Sequence, residues 1–219
     1  MLIHPELRLI FIHIPKSGGS SVKRMLRALP GFQPLPQGLW THSTAAETRR
    51  VLGAEVFDRC RRFAVVRHPV PRLLSWAAFR LEKAEDRQRR RAEGLPVKPG
   101  TTADRDAAAI AEMKHRDPVD WITTQPHSVD KFGADPKRID QTAWFEDADG
   151  GRLVDEVFRL EDAADWAPRL AAGYGLEGDL PHANRSSASL GPAAPLDPRL
   201  VDFARTWHGR TLGAFDYRL

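Results

Sequence analysis

At 219 residues the chain is long enough for one α/β domain with its own hydrophobic core. Thirty-three lysines and arginines against 29 acidic residues give a formal charge of +4, and 42% hydrophobic with 28% charged residues is the balance of an ordinary folded protein. Disordered, collagen-like and disulfide-scaffold classes are excluded, and no apolar run reaches the roughly 18 to 20 residues that a membrane-crossing helix needs. A single cysteine, Cys60, can form neither an internal disulfide nor a cysteine-based zinc site, which fits a reducing compartment. Residues 1–14 lack a basic region followed by a small-residue cleavage site, so a soluble, unprocessed, cytoplasmic chain with no membrane partner is expected.

Residues 7–14 (LRLIFIHI) are nearly continuously apolar and rich in β-branched side chains, the pattern of a buried parallel strand that stops at Pro15. KSGGSS (16–21) is a small-residue loop, and 22–29 (VKRMLRAL) has helical periodicity with serine available to cap its start. After a Pro/Gly-rich connection over 30–38, a second strand-helix unit is expected, with His42 at the strand tip and a helix over 43–52 opened by Ser43 or Thr44 with Glu47. RFAVVR (62–67) reads as a second buried strand broken by His68 and Pro69, and Pro71 starts a helix whose apolar half carries Leu73, Leu74, Trp76, Ala77 and Leu81. A loop over 94–102, helices over 104–116 and 117–125, an irregular stretch over 126–136, a third strand over 153–160, a helix over 162–170, a polar loop over 178–198 and a closing helix over 200–208 complete the chain. Strands alternating with helices predict a single domain over 1–219 of α/β class, a three-layer αβα arrangement around a central parallel sheet.

The positive charge is local. Residues 49–91 hold 13 basic against 5 acidic residues, as expected for a site that holds a multiply charged anion or for a solvated helical face. The run Arg87, Arg89, Arg90, Arg91 follows Glu82, Glu85 and Asp86 and reads as a wet face laced with i to i+4 pairs. Zinc-finger spacing, an aromatic RNA-binding signature and an isolated helix-turn-helix pattern are all missing, so nucleic acid is not expected as a partner.

A buried strand that runs through PKSGGSS into a helix is suited to an anion. Glycines let backbone N–H groups approach, the helix N-terminus adds about half a positive charge, Lys16 adds a point charge, and Ser17, Ser20 and Ser21 add hydroxyls. The arrangement is P-loop-like, yet GxxxxGK[ST] is absent because the lysine precedes the glycine pair. At the end of the second buried strand Arg67 emerges, and Ser75 follows eight residues later on the next helix. A plain strand-helix turn, a salt-bridged Arg67 and a packed Ser75 are the competing readings. Taken together, the two segments suit a nucleotide phosphorylated at two separate places.

These two segments resemble the sulfotransferases that use 3′-phosphoadenosine 5′-phosphosulfate (PAPS), in particular the carbohydrate-type, family 2-like branch. FIHIPKSGGSS (11–21) is similar to that family's 5′-phosphosulfate loop and FAVVRHPVPRLLSWAAF (63–79) to its 3′-phosphate motif, with fainter similarity in HSTAAE (42–47), VFRLED (157–162), LPHANRS (180–186) and LGAFDY (212–217). The resemblance implies that Pro15, Lys16, Ser17, Gly18, Gly19, Ser20 and Ser21 hold the 5′-phosphosulfate, with Lys16 also stabilising charge on the leaving phosphate. It implies that Arg67 and Ser75 bind the 3′-phosphate and that Asn184, Arg185 and Ser186 belong to a loop closing over the nucleotide. Residues 82–141 match nothing in the family and are expected to shape acceptor recognition.

Sulfuryl transfer asks for in-line positioning and for neutralisation of leaving-group charge, so no metal is expected. It also needs a base for an acceptor hydroxyl. Of eight histidines, His42 is the expected base and His182 the runner-up; His13 reads as a core histidine, His68 as a loop-orienting residue and Glu161 as a structural partner of Arg159 or another arginine. The resulting expectation is a PAPS-dependent sulfotransferase acting on a saccharide or glycosylated small-molecule hydroxyl. A P-loop-type kinase and a non-catalytic anion-binding module are the alternatives.

Overall fold

The computed structural model describes residues 1–97, 103–115, 117–124, 135–176, 180 and 196–219. Four strands, β1 (Leu2–His4), β2 (Leu9–Ile12), β3 (Arg61–Val66) and β4 (Glu156–Arg159), form one sheet in the order β1-β2-β3-β4. Among the described residues eight α-helices accompany them: α1 (Gly19–Leu26), α2 (Ala45–Leu52), α3 (Ala54–Asp58), α4 (Pro69–Ala92), α5 (Ala103–His115), α6 (Pro118–Thr123), α7 (Ala163–Ala172) and α8 (Pro198–Ala214).

The class is mixed α/β, with one correction to the all-parallel sheet. The pairs β2–β3 and β3–β4 are parallel, whereas β1 runs antiparallel to β2. The cause is the connection: four residues, 5–8, join β1 to β2 through a turn in which the Arg8 N–H donates to the Pro5 carbonyl, and so short a link returns a strand only antiparallel. Three residues are too few for a period to be read from sequence, so β1 escapes pattern analysis.

Strand side chains alternate between two faces and both are buried. Ile10, Ile12, Ala64 and Val66 pack with Ala45 of α2, Phe57 of α3, Trp144, Phe145 and Tyr217. Leu9, Phe11, Phe63 and Val65 pack with Val22, Met25 and Leu26 of α1 and with Trp166, Ala167 and Leu170 of α7. Burial on both faces explains why β2 and β3 read as continuous apolar runs.

The chain divides into two compact units. The sheet unit draws on Met1–Pro69, Ile139–Arg185 and His208–Arg218, and the second unit on Val70–Arg138 and Ser186–Trp207. The boundary in α8 coincides with a break at His208, whose φ of −129° and ψ of 22° are not helical. In the second unit Val70, Leu73, Leu74 and Ala77 of α4 pack with Val119, Trp121 and Ile122 of α6 and with Leu200, Phe203 and Ala204 of α8. The charged half of α4 carries ion pairs, Arg89 to Asp86 at 2.5 Å and Glu85 to Lys114 of α5 at 2.9 Å, as a solvated face does.

Further boundaries differ from the sequence reading for local reasons. Helix α1 begins at Gly19, capped by Gly18 in the left-handed conformation (φ 77°) instead of by a serine. No strand forms around Trp40 to His42; three prolines and two glycines in 30–38 precede turns there, so His42 sits in a turn before α2 and not at a strand tip. Thr44, not Ser43, closes the capping box: its Oγ1 accepts the Glu47 N–H at 3.1 Å and its own N–H donates to Glu47 Oε2 at 2.8 Å. Helix α4 takes Pro69, not Pro71, as its first residue. The expected loop over 178–198 and the stretch 126–136 fall largely outside the described residues.

Phe63 is fully buried, 5.0 Å from the Phe11 ring and 6.0 Å from Phe158. Phe63→Ala is expected to lower the unfolding free energy by about 3–5 kcal/mol in chemical denaturation. A loss under about 1 kcal/mol would contradict this placement of the core.

Candidate active site

Parallel pairing of β2 with β3 in the register Ile12↔Ala64 brings the loops that follow both strands to one end of the sheet. The first loop continues through His13, Ile14, Pro15, Lys16, Ser17 and Gly18 into α1. Lys16 holds a left-handed backbone conformation (φ 66°), uncommon for a residue with a side chain and typical of sites where function fixes the chain. Gly18 follows at φ 77°, which a glycine adopts without strain. Gly19 has a different reason: a Cβ there would lie 1.8 Å from Cδ2 of His13, so only a glycine lets α1 start against that ring. Helix α1 has no side-chain cap and no acidic residue in its first turn, which keeps its positive end uncompensated by neighbouring carboxylates. Pro15 and Ser17 are buried, Lys16, Gly18 and Ser21 partly so, and Ser20 is exposed.

His13 is buried at 6% exposure and is the hub of this end of the sheet unit. Its carbonyl accepts a hydrogen bond from His42 Nδ1 at 2.9 Å, and the two rings lie 4.4 Å apart. A carbonyl oxygen only accepts, so Nδ1 of His42 carries the proton and Nε2 is the basic nitrogen when the ring is neutral. Trp40 lies edge-on to His42 at 5.5 Å, and Trp144 Nε1 donates to the His42 carbonyl at 3.2 Å. Burial, then the charges of the chain's amino terminus, His42, Lys23 and Lys16, push the His13 pKa far down and hold its ring neutral.

The second loop runs from β3 through Arg67 and His68 into α4. Burial lowers the Arg67 pKa, against the raising effect of Glu161 and Tyr217, although a guanidinium stays charged throughout the accessible range. Glu161 grips the loop: its Oε1 accepts the His68 N–H at 2.9 Å and its Oε2 accepts the Tyr217 hydroxyl at 2.7 Å. His68 Nε2 donates to the Arg218 carbonyl at 2.8 Å, and burial followed by Glu161 raises the Tyr217 pKa. Of the arginines expected to partner Glu161, Arg159 lies 3.5 Å from Asp162, whereas Arg67 feels the Glu161 charge.

A short 3-10 helix, Gln141–Trp144, reaches both loops. Gln141 Oε1 accepts the Ser17 hydroxyl at 2.9 Å and the Arg67 N–H at 3.0 Å, while Nε2 donates to the Arg67 carbonyl at 2.7 Å. The Ser17 hydroxyl proton, expected to serve a phosphate, is therefore committed to Gln141. Lys16, His42 and Arg67 with their loops belong to the sheet unit, whereas Ser75 is buried on α4 in the second unit. Asn184, Arg185, Ser186 and His182 lie outside the described residues. Sequence reasoning missed Gln141: no motif is legible in 82–141, although the family match reported below extends through it, and Asp140 and Thr142 signal only a helix start, realised where the Thr142 N–H donates to Asp140 Oδ1 at 3.0 Å.

Among the described residues the sheet unit is mixed α/β, with a glycine loop and an arginine loop at the ends of two adjacent strands. A family model described as the sulfotransferase family matches residues 1–144, which include Lys16, His42, Arg67, Ser75 and Gln141, and the chain belongs to that family. Neither curated proteins nor solved structures give a match. Among the described residues no helix is long and apolar enough to cross a membrane, and no group of three or more His, Cys, Asp and Glu is placed to hold a metal.

The neutral His13 sets a pH dependence. Its pKa in the folded protein lies below the unfolded value of about 6.5, so the unfolded chain binds the extra proton and stability falls as pH drops below that value. Between pH 7 and pH 5 denaturant unfolding should lose about 2 kcal/mol through this residue, and His13→Gln should remove that part of the slope. An unchanged slope in His13→Gln would contradict the assignment.

Proposed function

We propose that the protein transfers a sulfuryl group from PAPS to a hydroxyl of a saccharide or other small-molecule acceptor, the whole chain 1–219 acting as one sulfotransferase domain. The observation that carries the reading is the hydrogen bond from His42 Nδ1 to the carbonyl of His13, which stands in the same β2–α1 loop as Lys16 and Gly18. It leaves Nε2 of His42 as the nitrogen that takes a proton, beside a loop whose shape suits a phosphate.

In this reading the β2–α1 segment acts as a P-loop-like cradle in which backbone N–H groups of residues 17–20 and the positive end of α1 hold the 5′-phosphate, the Ser21 N–H being taken by the Gly18 carbonyl at 2.9 Å. Arg67, the residue that follows β3, binds the 3′-phosphate. His42 Nε2 takes the acceptor's hydroxyl proton as the acceptor oxygen bonds to sulfur. The bond from sulfur to the 5′-phosphate oxygen breaks, and Lys16 meets the charge that develops on that oxygen. The lysine, the helix end and the arginine supply the compensating charge without a metal.

Calorimetric titration with 3′-phosphoadenosine 5′-phosphate, the product nucleotide, tests the donor assignment against ATP with magnesium. The product nucleotide is expected to bind more tightly than ATP, and Arg67→Ala should weaken it about 10- to 100-fold, the worth of a charge-assisted hydrogen bond. Tighter binding of ATP with magnesium would move the protein to the kinases. No nucleotide binding at all would leave an anion-binding module.

A further inference from the structure

The ladder between β2 and β3 ends at the pair Ile12 and Ala64, and β3 stays paired with β4 through Val66, so Ser17 and Arg67 both lie beyond the β2–β3 pairing. Gln141 spans them there. Its side chain is fully buried, and its three hydrogen bonds go to the Ser17 hydroxyl and to both the N–H and the carbonyl of Arg67. The amide has one workable orientation, because its reverse would set N–H against N–H and oxygen against oxygen. The 3-10 turn that carries it is itself fixed: Asp140 accepts the Thr211 hydroxyl at 2.5 Å and the Thr211 N–H at 3.2 Å. Three residues further on, Trp144 donates to the carbonyl of His42. One turn of chain thus touches both loops and the backbone of the candidate base.

We propose that Gln141 sets the spacing between the 5′-phosphate and 3′-phosphate subsites and is thereby the positioning residue that makes the protein selective for a doubly phosphorylated adenosine. This rests on the nucleotide reading above. A ligand that must touch both loops at once is penalised by any change in their separation, whereas a ligand held by one loop is not. The effect is on discrimination, and a residue that only supported the fold would weaken both ligands alike.

The ratio of dissociation constants for 5′-AMP and 3′-phosphoadenosine 5′-phosphate, measured by calorimetry, reads this directly. In Gln141→Leu the ratio is expected to fall about tenfold, with 5′-AMP affinity held within about threefold of wild type. Ser17→Ala, which removes one of the three bonds, should lower the ratio by a smaller factor and carries the test if Gln141→Leu does not fold. A ratio equal to wild type in the folded variants, or an equal loss of both ligands, overturns the role of Gln141 alone. A wild-type protein that does not prefer the doubly phosphorylated nucleotide overturns the nucleotide reading, and the role of Gln141 with it.

Discussion

The parallel pairing of β2 with β3 is the constraint on which the site depends. Parallel neighbours end at the same edge of a sheet, so the residues that follow Ile12 and Val66 emerge side by side although some fifty residues separate them in the chain. Had the second strand returned antiparallel, as β1 does, Arg67 would leave the opposite edge from Lys16. Helices on both faces keep that pairing dry. Every strand position from Leu9 to Ile12 and from Phe63 to Val66 is buried, so a slip by one residue would turn each apolar side chain to the wrong layer.

What happens beyond the strand ends is held by side chains. Gln141 and Glu161, remote in sequence, accept or donate hydrogen bonds to the backbone of Arg67 and His68, so this loop has partners on two sides before any ligand arrives. His13 does the corresponding work in the first loop: its ring fills the space that Gly19 leaves, and its carbonyl orients His42. Fixing polar groups in advance is the way a protein stabilises developing charge without reorganising during reaction. The surplus of basic residues in 49–91 plays a smaller part than the sequence suggests. Arg49 and Arg62 pair with Asp58, Arg61 with Glu156, Arg62 also with Asp155, and Arg89 with Asp86.

The strand-loop-helix of residues 9–26 and the strand before Arg67 were legible because buried parallel strands announce themselves as short apolar runs and because proline and glycine punctuate them. The first boundary was placed late, since the cap is the backbone of Gly18 in a left-handed turn and no side chain reports it. The three-residue β1 has no period to detect. The segment around His42 is a turn and not a strand tip, in keeping with the prolines and glycines that precede it. Gln141 was illegible for a different reason: a glutamine that braces two loops by hydrogen bonds across 124 and 74 residues of chain leaves no local signature. For Glu161 the sequence points to Arg159 or another arginine; its hydrogen bonds go to His68 and Tyr217 and its charge acts on Arg67, a choice that long-range packing makes.

The central claim is that two neighbouring loops hold the two phosphates of a single nucleotide. Phosphorus-31 NMR of 3′-phosphoadenosine 5′-phosphate bound to the protein tests it most directly, because each phosphate reports separately. The account predicts that both resonances move on binding to the wild type, and that in Arg67→Ala the 3′ resonance returns toward its free position while the 5′ resonance stays shifted. Perturbation of only one phosphate in the wild type, or an equal response of both to Arg67→Ala, would contradict it.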